Sequence, residues 1–187
     1  MVKGLIALAI VAAGAAAVIF VTKQDPVEPR LHIDDSVATD FDAVAEETWD
    51  RFLVAFPAQL DCIGDITLVA DYDLEDRARY DPDQSQMAVR VPGPRVLLER
   101  AVVHELAHHL EFNCDSHEAI RPAFLAALGR DGDAPWFEGE AWENTPSEVF
   151  AETVVEVVFE DFGMVHTGIG LIAPDAVEIV ADWGTSS

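Results

Sequence analysis

The stretch that decides the fold covers residues 102–114 and reads VVHELAHHLEFNC. It places several of the six histidines of the chain within a run rich in Val, Leu and Ala. His104 and His108 are one helical turn apart, so in a helix their side chains share a face, with Cβ atoms about 5–6 Å apart. The pattern predicts a helix over residues 95–113 that presents two imidazoles to a common point.

The residue types in this helix favour a catalytic zinc site. Two imidazoles at this spacing can converge on one zinc ion, each at about 2.0–2.1 Å. Glu105 points to the same side but is angularly displaced, which places its carboxylate beside the metal, where it can take a proton from the attacking water. The competing interpretation is a pair of core histidines on an apolar helix.

A catalytic zinc also needs a third protein ligand and an open position. Glu111 stands three residues after His108, and no Gly-x-x-His pattern follows it. A later helix, predicted from a cap at Thr145 or Ser147 to residue 161, carries acids one turn apart. Such a row is also typical of a solvated helix face. Because the zinc site lacks a ligand, the third ligand is expected from this row of Glu148, Glu152 and Glu156.

H-E-x-x-H at residues 104–108, followed by E-x-F-A-E at residues 148–152, resembles the gluzincin clan of zinc metallopeptidases. It is most similar to the short zincin-like domains of the anthrax lethal factor type, over residues 95–159. The resemblance implies an α+β fold with a short sheet and an H-E-x-x-H helix in the active site. It implies that Zn²⁺ is bound by His104, His108 and Glu148, and that Glu152 accepts a hydrogen bond from a ligating histidine.

Such a site implies a hydrolase that cuts peptide bonds of a peptide or protein substrate. Glu105 removes a proton from the attacking water and then protonates the leaving amine. A donor to the oxyanion is also expected. Tyr80 is preferred because it comes just ahead of a predicted strand that can border the cleft, although it can equally be a half-buried strand aromatic. The candidates for this donor are Tyr72, Tyr80, His117 and His166.

His109 points away from the pair formed by His104 and His108, and it is predicted to be a packed or surface residue. The stretch DAPWFEGEAWEN, residues 133–144, is aromatic and acidic. It is interpreted as either the rim of a cleft or a packed loop.

Three other functions compete with the peptidase. The first is a catalytically inactive zincin-like protein that binds or regulates, which the intact Glu105 disfavours. The second is a cytoplasmic regulatory protease, which the apolar N-terminal segment disfavours. The third is a structural zinc protein, although closed structural sites are usually rich in cysteine.

Residues 4–22 contain no charged residue, and Lys3 and Lys23 flank them. At about 1.5 Å per residue such a helix spans close to the ~30 Å hydrocarbon core. The segment is predicted to be an uncleaved membrane anchor, with a cleaved signal peptide as the alternative. Either interpretation predicts an exported domain, membrane-anchored or secreted, that covers residues 31–187 after a linker at residues 23–30.

The composition limits the kinds of partner that the protein can bind, and the cysteines relate to the compartment in which it folds. The 187 residues suffice for one domain, and the net charge of −24, from 35 acids and 11 bases, opposes binding to nucleic acid. Cys62 and Cys114 form a disulfide if the domain is exported, or stay as two buried thiols.

The predicted order of elements is typical of an α+β fold. A helix over residues 40–60 precedes strands at residues 65–71 and 86–91, with a turn at residues 81–84 between them. The helix over residues 95–113 follows. Further helices are predicted up to Gly129, over residues 145–161 and near the end of the chain.

Overall fold

The computed structural model describes residues 28–160 and 169–186. Over these residues the fold is α+β, as predicted, with six α-helices and one four-stranded sheet. The strands are β1 (Leu31–Ile33), β2 (Ile66–Asp71), β3 (Ala78–Asp81) and β4 (Gln86–Arg90). The helices are α1 (Thr39–Ala55), α2 (Leu60–Ile63), α3 (Arg95–Asn113), α4 (Ser116–Ala127), α5 (Pro146–Phe159) and α6 (Pro174–Thr185).

The predicted apolar segment at residues 4–22 and most of the predicted linker lie outside the described residues. Within the described ranges, no helix combines the length and the apolar character that crossing a membrane requires.

The sheet has the order β1-β2-β4-β3. β1 and β4 both run parallel to β2, whereas β3 runs antiparallel to β4 and forms the edge of the sheet. The predicted strands correspond to β2 and β4, and the predicted turn joins β3 to β4. β1 and β3 were not predicted, because they have only three and four residues, at or below the shortest run in which an alternation of apolar and polar residues marks a strand.

Helix α3 lies at the centre of the domain, where it packs against α1, α5, β3 and β4. Its predicted start and end are confirmed. A helix that is covered on several sides must be apolar on most of its surface. This burial explains why the histidines and glutamates of α3 are set among residues such as Val102, Val103, Leu106 and Leu110, all fully buried.

Helix α1 ends earlier than predicted, at Ala55 instead of about Leu60. The cause is Pro57, since a residue that precedes proline is disfavoured in the α conformation. Phe56 leaves the helix with φ of −123° and ψ of 49°. A 3₁₀ turn at Pro57–Gln59 and the short helix α2 then return the chain to the sheet.

A disulfide joins Cys62 in α2 to Cys114, which follows α3 directly. The two Cα atoms are 5.1 Å apart, within the range of about 4.4–6.8 Å that a bridge requires. The two predicted alternatives were a disulfide and a pair of buried free thiols, and the structure has the disulfide. It fixes the carboxyl end of α3 to the segment that enters β2.

Helix α6 holds α5 in place through a cluster of aromatic side chains. Trp183 packs against Phe150 of α5 at 6.0 Å between ring centroids, and against Phe56 at 5.9 Å. Both phenylalanines are fully buried. The position of α5 beside α3 is therefore set by apolar packing on the face of α5 that carries Phe150.

Candidate metal centre and active site

Three potential metal ligands converge where α5 crosses α3. His104 and His108 lie on one face of α3, as their spacing predicts, with the two Nε2 atoms 3.3 Å apart. Glu148, in the first turn of α5, places Oε2 at 3.0 Å from the Nε2 of His104 and 3.6 Å from that of His108. The described residues thus bring two imidazoles and one carboxylate to a single point.

The spacing of these atoms fits a zinc ion. Tetrahedral ligands at about 2.0–2.1 Å from zinc lie about 3.3–3.4 Å from one another. The observed separations of 3.0, 3.3 and 3.6 Å bracket that value. Two histidines with one carboxylate is also a donor set that catalytic zinc sites use, with a fourth position left for water or substrate.

The three acids of the predicted row make different contacts in the structure. Glu148 faces the Nε2 atoms, and Glu152 Oε1 lies 3.0 Å from the Nδ1 of His104, the contact that the resemblance implies. Glu152 Oε2 also accepts a hydrogen bond from Arg100 at 2.7 Å. Glu156 is buried one turn farther along α5 and is not part of the metal-ligand group.

His108 is held by Glu111, a residue for which the sequence pattern predicts no role. Its carboxylate is fully buried, and Oε2 lies 2.8 Å from the Nδ1 of His108. Ser147 donates to the same oxygen at 2.8 Å, and the indole N–H of Trp136 donates to Oε1 at 2.8 Å. The spacing of three residues between His108 and Glu111 was the available signal, because it places both side chains on one side of a helix.

Each candidate histidine ligand therefore has a carboxylate on its Nδ1 atom. A carboxylate that accepts the Nδ1–H fixes the tautomer and leaves Nε2 as the ligand atom. Glu152 does this for His104 from α5, and Glu111 does it for His108 from α3 itself. The arrangement prepares both imidazoles for a cation.

The charges in the cluster stabilise one another. Burial lowers the pKa of His104, but hydrogen bonds to Glu148 and Glu152 outweigh it and raise the pKa to about 9. Burial acts in the same way on His108, where Glu111 and Glu148 raise the pKa to about 10. Burial raises the pKa of Glu148, yet the two histidines outweigh it and lower that pKa to about 2.

Glu105 lines the cleft beside His104 and His108, with 4% of its surface exposed. Burial raises the pKa of its carboxyl group, while the charges of His104 and His108 and the backbone N–H of Tyr80 oppose that rise. A carboxyl group with a raised pKa is a better proton acceptor and donor near neutral pH. The residue is not among the three potential ligands of the metal group.

Tyr80 also lines the cleft, but its hydroxyl is hydrogen-bonded to the imidazole of His109. Burial lowers the pKa of His109 to about 4, so this imidazole is neutral. The Nε2 atom of His109 lies 2.7 Å from the carbonyl oxygen of Ile63 and must carry the proton. Its Nδ1 atom is then an acceptor, which the Tyr80 hydroxyl meets at 2.8 Å and the side-chain amide of Asn113 at 3.0 Å. The predicted role of Tyr80 as oxyanion donor requires substrate to draw the hydroxyl proton away from His109.

The other predicted oxyanion donors lie elsewhere. Tyr72 is 67% exposed and does not line the cleft. His117 is fully buried against Trp136 and Phe150, where burial lowers its pKa to about 3. His166 lies outside the described residues. His109 was predicted to be either a packed or a surface residue, and with 1% of its surface exposed it is packed.

The cleft around the cluster has a volume of about 710 Å³. One wall is α3 with the start of α5, and the opposite wall is the edge strand β3 with its flanking residues. The stretch at residues 133–144 was predicted to be either the rim of a cleft or a packed loop, and its residues do both. Trp136 is buried beneath the site, whereas Phe137 and Trp142 are exposed and line the cleft.

No match was found to a protein-family model, to a curated protein or to a solved structure. The assignment of a function therefore depends on the geometry and chemistry of this cleft.

Proposed function

We propose that this protein is a zinc-dependent metallopeptidase with a zincin-like domain, as the resemblance of the two motifs implies. The observation that carries the proposal is the convergence of His104, His108 and Glu148 in an open cleft that also holds Glu105. A structural zinc protein is disfavoured because the two cysteines form a disulfide at the carboxyl end of α3 and are not among the potential metal ligands.

His104, His108 and Glu148 would hold the zinc ion through Nε2, Nε2 and Oε2. When bound, zinc polarises the scissile carbonyl and lowers the pKa of a water molecule to about 7. Glu111 and Glu152 keep the two imidazoles in the orientation and tautomer that a cation needs.

Glu105 would act as the general base and then as the general acid. Its buried position raises its pKa, so it can take a proton from the attacking water and return that proton to the leaving amine. The edge strand β3 gives an extended peptide a place to add as a further strand, because β3 lies at one edge of the sheet and its residues line the cleft.

The proposal is tested by separating the ligand from the base. In Glu148→Ala, zinc loses one of three protein ligands, and we expect the metal content to fall. Glu105→Gln is nearly isosteric, so we expect it to retain zinc but to lose about 10²–10⁴ in rate. Metal analysis and cleavage of a peptide library, each with and without chelator, measure both effects on protein that begins at Arg30.

Each outcome decides a specific point. Full zinc in Glu148→Ala removes that residue from the ligand set. Undiminished hydrolysis in Glu105→Gln refutes the peptidase mechanism. Wild-type protein that binds zinc and cleaves no library peptide supports the rival function, an inactive zincin-like binding protein.

A further inference from the structure

The cleft contains an aromatic surface that the proposed chemistry does not use. Phe112 and Phe137 both line the cleft, and each is 52% exposed. Their rings stack at 5.5 Å between centroids with an interplanar angle of 22°. The ring of Tyr80 lies 5.9 Å from that of Phe112 and extends the surface. Exposed apolar surface within a concave site is typical of a binding subsite.

The position of Phe112 relates this surface to the reaction. His104, His108 and Phe112 follow one another at intervals of four residues, so they lie along one face of α3. Phe112 is displaced from His108 by about 6 Å along the helix axis. An extended peptide covers that distance in about two residues. The aromatic surface is therefore placed to contact a side chain about two residues from the bond that is cut.

Contacts from α3, from α4 and from the loop residue Trp136 hold the surface in place. The hydroxyl of Tyr80 is fixed by His109 of α3 at 2.8 Å. The guanidinium of Arg121 in α4 lies 5.6 Å from the ring centroid of Phe137 and 5.1 Å from that of Trp136. Trp136 is in turn anchored by its hydrogen bond to Glu111. Because the rings are held before any ligand arrives, little conformational entropy is lost when a side chain packs on them.

The chemistry of the surface selects an apolar occupant. An aromatic platform also attracts cations, but Arg121 already occupies the cation position beside Phe137. A second guanidinium or ammonium group would meet like charge at this point. An acidic side chain is disfavoured because the faces of aromatic rings carry negative electrostatic potential. A large aliphatic or aromatic side chain meets neither penalty and gains the burial of apolar area.

We propose that Tyr80, Phe112 and Phe137 form a subsite for a large apolar side chain of a peptide, about two residues from the scissile bond. The inference rests on the proposed peptidase function and names its substrate class: peptides with Phe, Leu or Met at that position. Trp142, which stacks on His104 with ring centroids 6.1 Å apart, lies toward the other end of the cleft and is not part of this subsite.

Two peptide positions lie two residues from the scissile bond, one on each side of it. The test compares matched peptides that differ only in having Leu or Ala at one of these two positions. We expect wild-type protein to favour the Leu peptide by about 10–200-fold in kcat/KM at one position, as for other hydrophobic pockets. The double variant Phe112→Ala/Phe137→Ala should reduce that ratio to about threefold or less and keep its zinc. Phe112→Leu/Phe137→Leu retains apolar area and should keep most of the preference, which separates loss of the subsite from loss of the fold.

Val54→Ala is the matched control, because Val54 is 80% exposed on α1 and lies outside the cleft. It should leave the ratio unchanged. If the double alanine variant retains zinc and fold and the Leu preference persists, the subsite is refuted. A wild-type preference for Lys or Asp at both positions also refutes it.

A binding measurement separates this inference from the peptidase proposal. Glu105→Gln protein with labelled Leu and Ala peptides gives the ratio of dissociation constants without turnover. If wild-type protein cleaves nothing but Glu105→Gln still prefers the Leu peptide, the peptidase proposal fails and the subsite is supported. Equal binding of both peptides, or of neither, refutes the subsite whether or not hydrolysis occurs.

Discussion

At the scale of single residues, the site depends on pairs of histidine and carboxylate. Each Nε2 atom that faces the proposed metal position belongs to a ring whose Nδ1 atom meets a buried carboxylate. The paired groups lie below a quarter exposure, with Glu111 fully buried, so water screens these contacts weakly. Replacing a supporting carboxylate is therefore expected to affect zinc binding although the ligand itself remains.

Glu111→Gln should weaken zinc affinity or lower kcat/KM by about 10–100-fold. Its amide group cannot accept all of the hydrogen bonds that His108, Ser147 and Trp136 donate, so His108 loses its fixed orientation. Zinc titration against a competing chelator measures the affinity. Glu118→Gln on the exposed surface of α4 changes the charge equally and should change neither quantity. Unchanged zinc affinity and kcat/KM in Glu111→Gln would show that Glu111 does not position His108.

Tyr80→Phe tests whether the Tyr80 hydroxyl serves catalysis or structure. The proton of that hydroxyl is held by His109, so we expect a loss of about 1 kcal/mol in the free energy of unfolding, typical of one hydrogen bond. We expect kcat to stay within about tenfold of the wild-type value, since loss of an oxyanion donor costs about 10²–10³. A larger fall in kcat with unchanged stability would instead assign Tyr80 to the oxyanion. Denaturant titration and steady-state kinetics give the two quantities.

At the scale of elements, a helix or strand was predicted accurately when the residues that mark it lie within one segment of the sequence. Helix α3 was predicted with its observed bounds because its apolar residues, its motif and the preceding PGP stretch all lie within one segment. β3 was missed because it has only four residues, Ala78–Asp81, too few for their alternation to stand out from the surrounding chain. Its strand conformation comes from pairing with β4, which the chain reaches through the turn.

The disulfide acts on the arrangement of α2 and α3. It closes a loop with a sequence separation of 52 residues, and a bridge of that size contributes about 2–4 kcal/mol. We expect Cys62→Ala/Cys114→Ala to lower the free energy of unfolding by that amount, measured by denaturant titration. Wild-type protein in reductant should show the same loss. A change below about 0.5 kcal/mol in both experiments would show that the packing of α2 against α3 suffices without the bridge.

At the scale of the whole molecule, the apolar N-terminal segment and the disulfide both bear on export. The apolar segment at residues 4–22 lies outside the described residues, so the support from the structure is the disulfide alone. Disulfides persist in oxidising compartments and are rare in the cytosol. We therefore propose that the domain is exported, anchored by its N-terminal segment or released from it.

Fractionation and reporter fusions measure this directly. We expect full-length protein to fractionate with membranes and protein that begins at Arg30 to be soluble, because the apolar segment carries the membrane affinity. A reporter that is active only after export should work when fused after Ser187. If that reporter is inactive while a cytoplasmic reporter works at the same position, the domain is cytoplasmic and the regulatory-protease alternative gains support.

The sequence by itself determined the α+β class, the bounds of α3 and the pairing of His104 with His108. Each of these follows from local geometry, since a helix places residues four apart on one face whatever surrounds it. The same local rule placed Glu105 beside the pair. The row of acids on the later helix was also visible, but the spacing alone did not distinguish Glu148, Glu152 and Glu156.

Only the tertiary structure decided which partner each of these groups meets. Glu148 faces the Nε2 atoms and Glu152 an Nδ1 atom because α5 packs across α3 at one angle, which the contacts of Phe150 and Trp183 help to set. The bonds of Glu111 to Trp136 and Ser147 join residues 25 and 36 positions apart. No periodicity along the chain encodes such contacts, because they arise when separate elements bury a shared core.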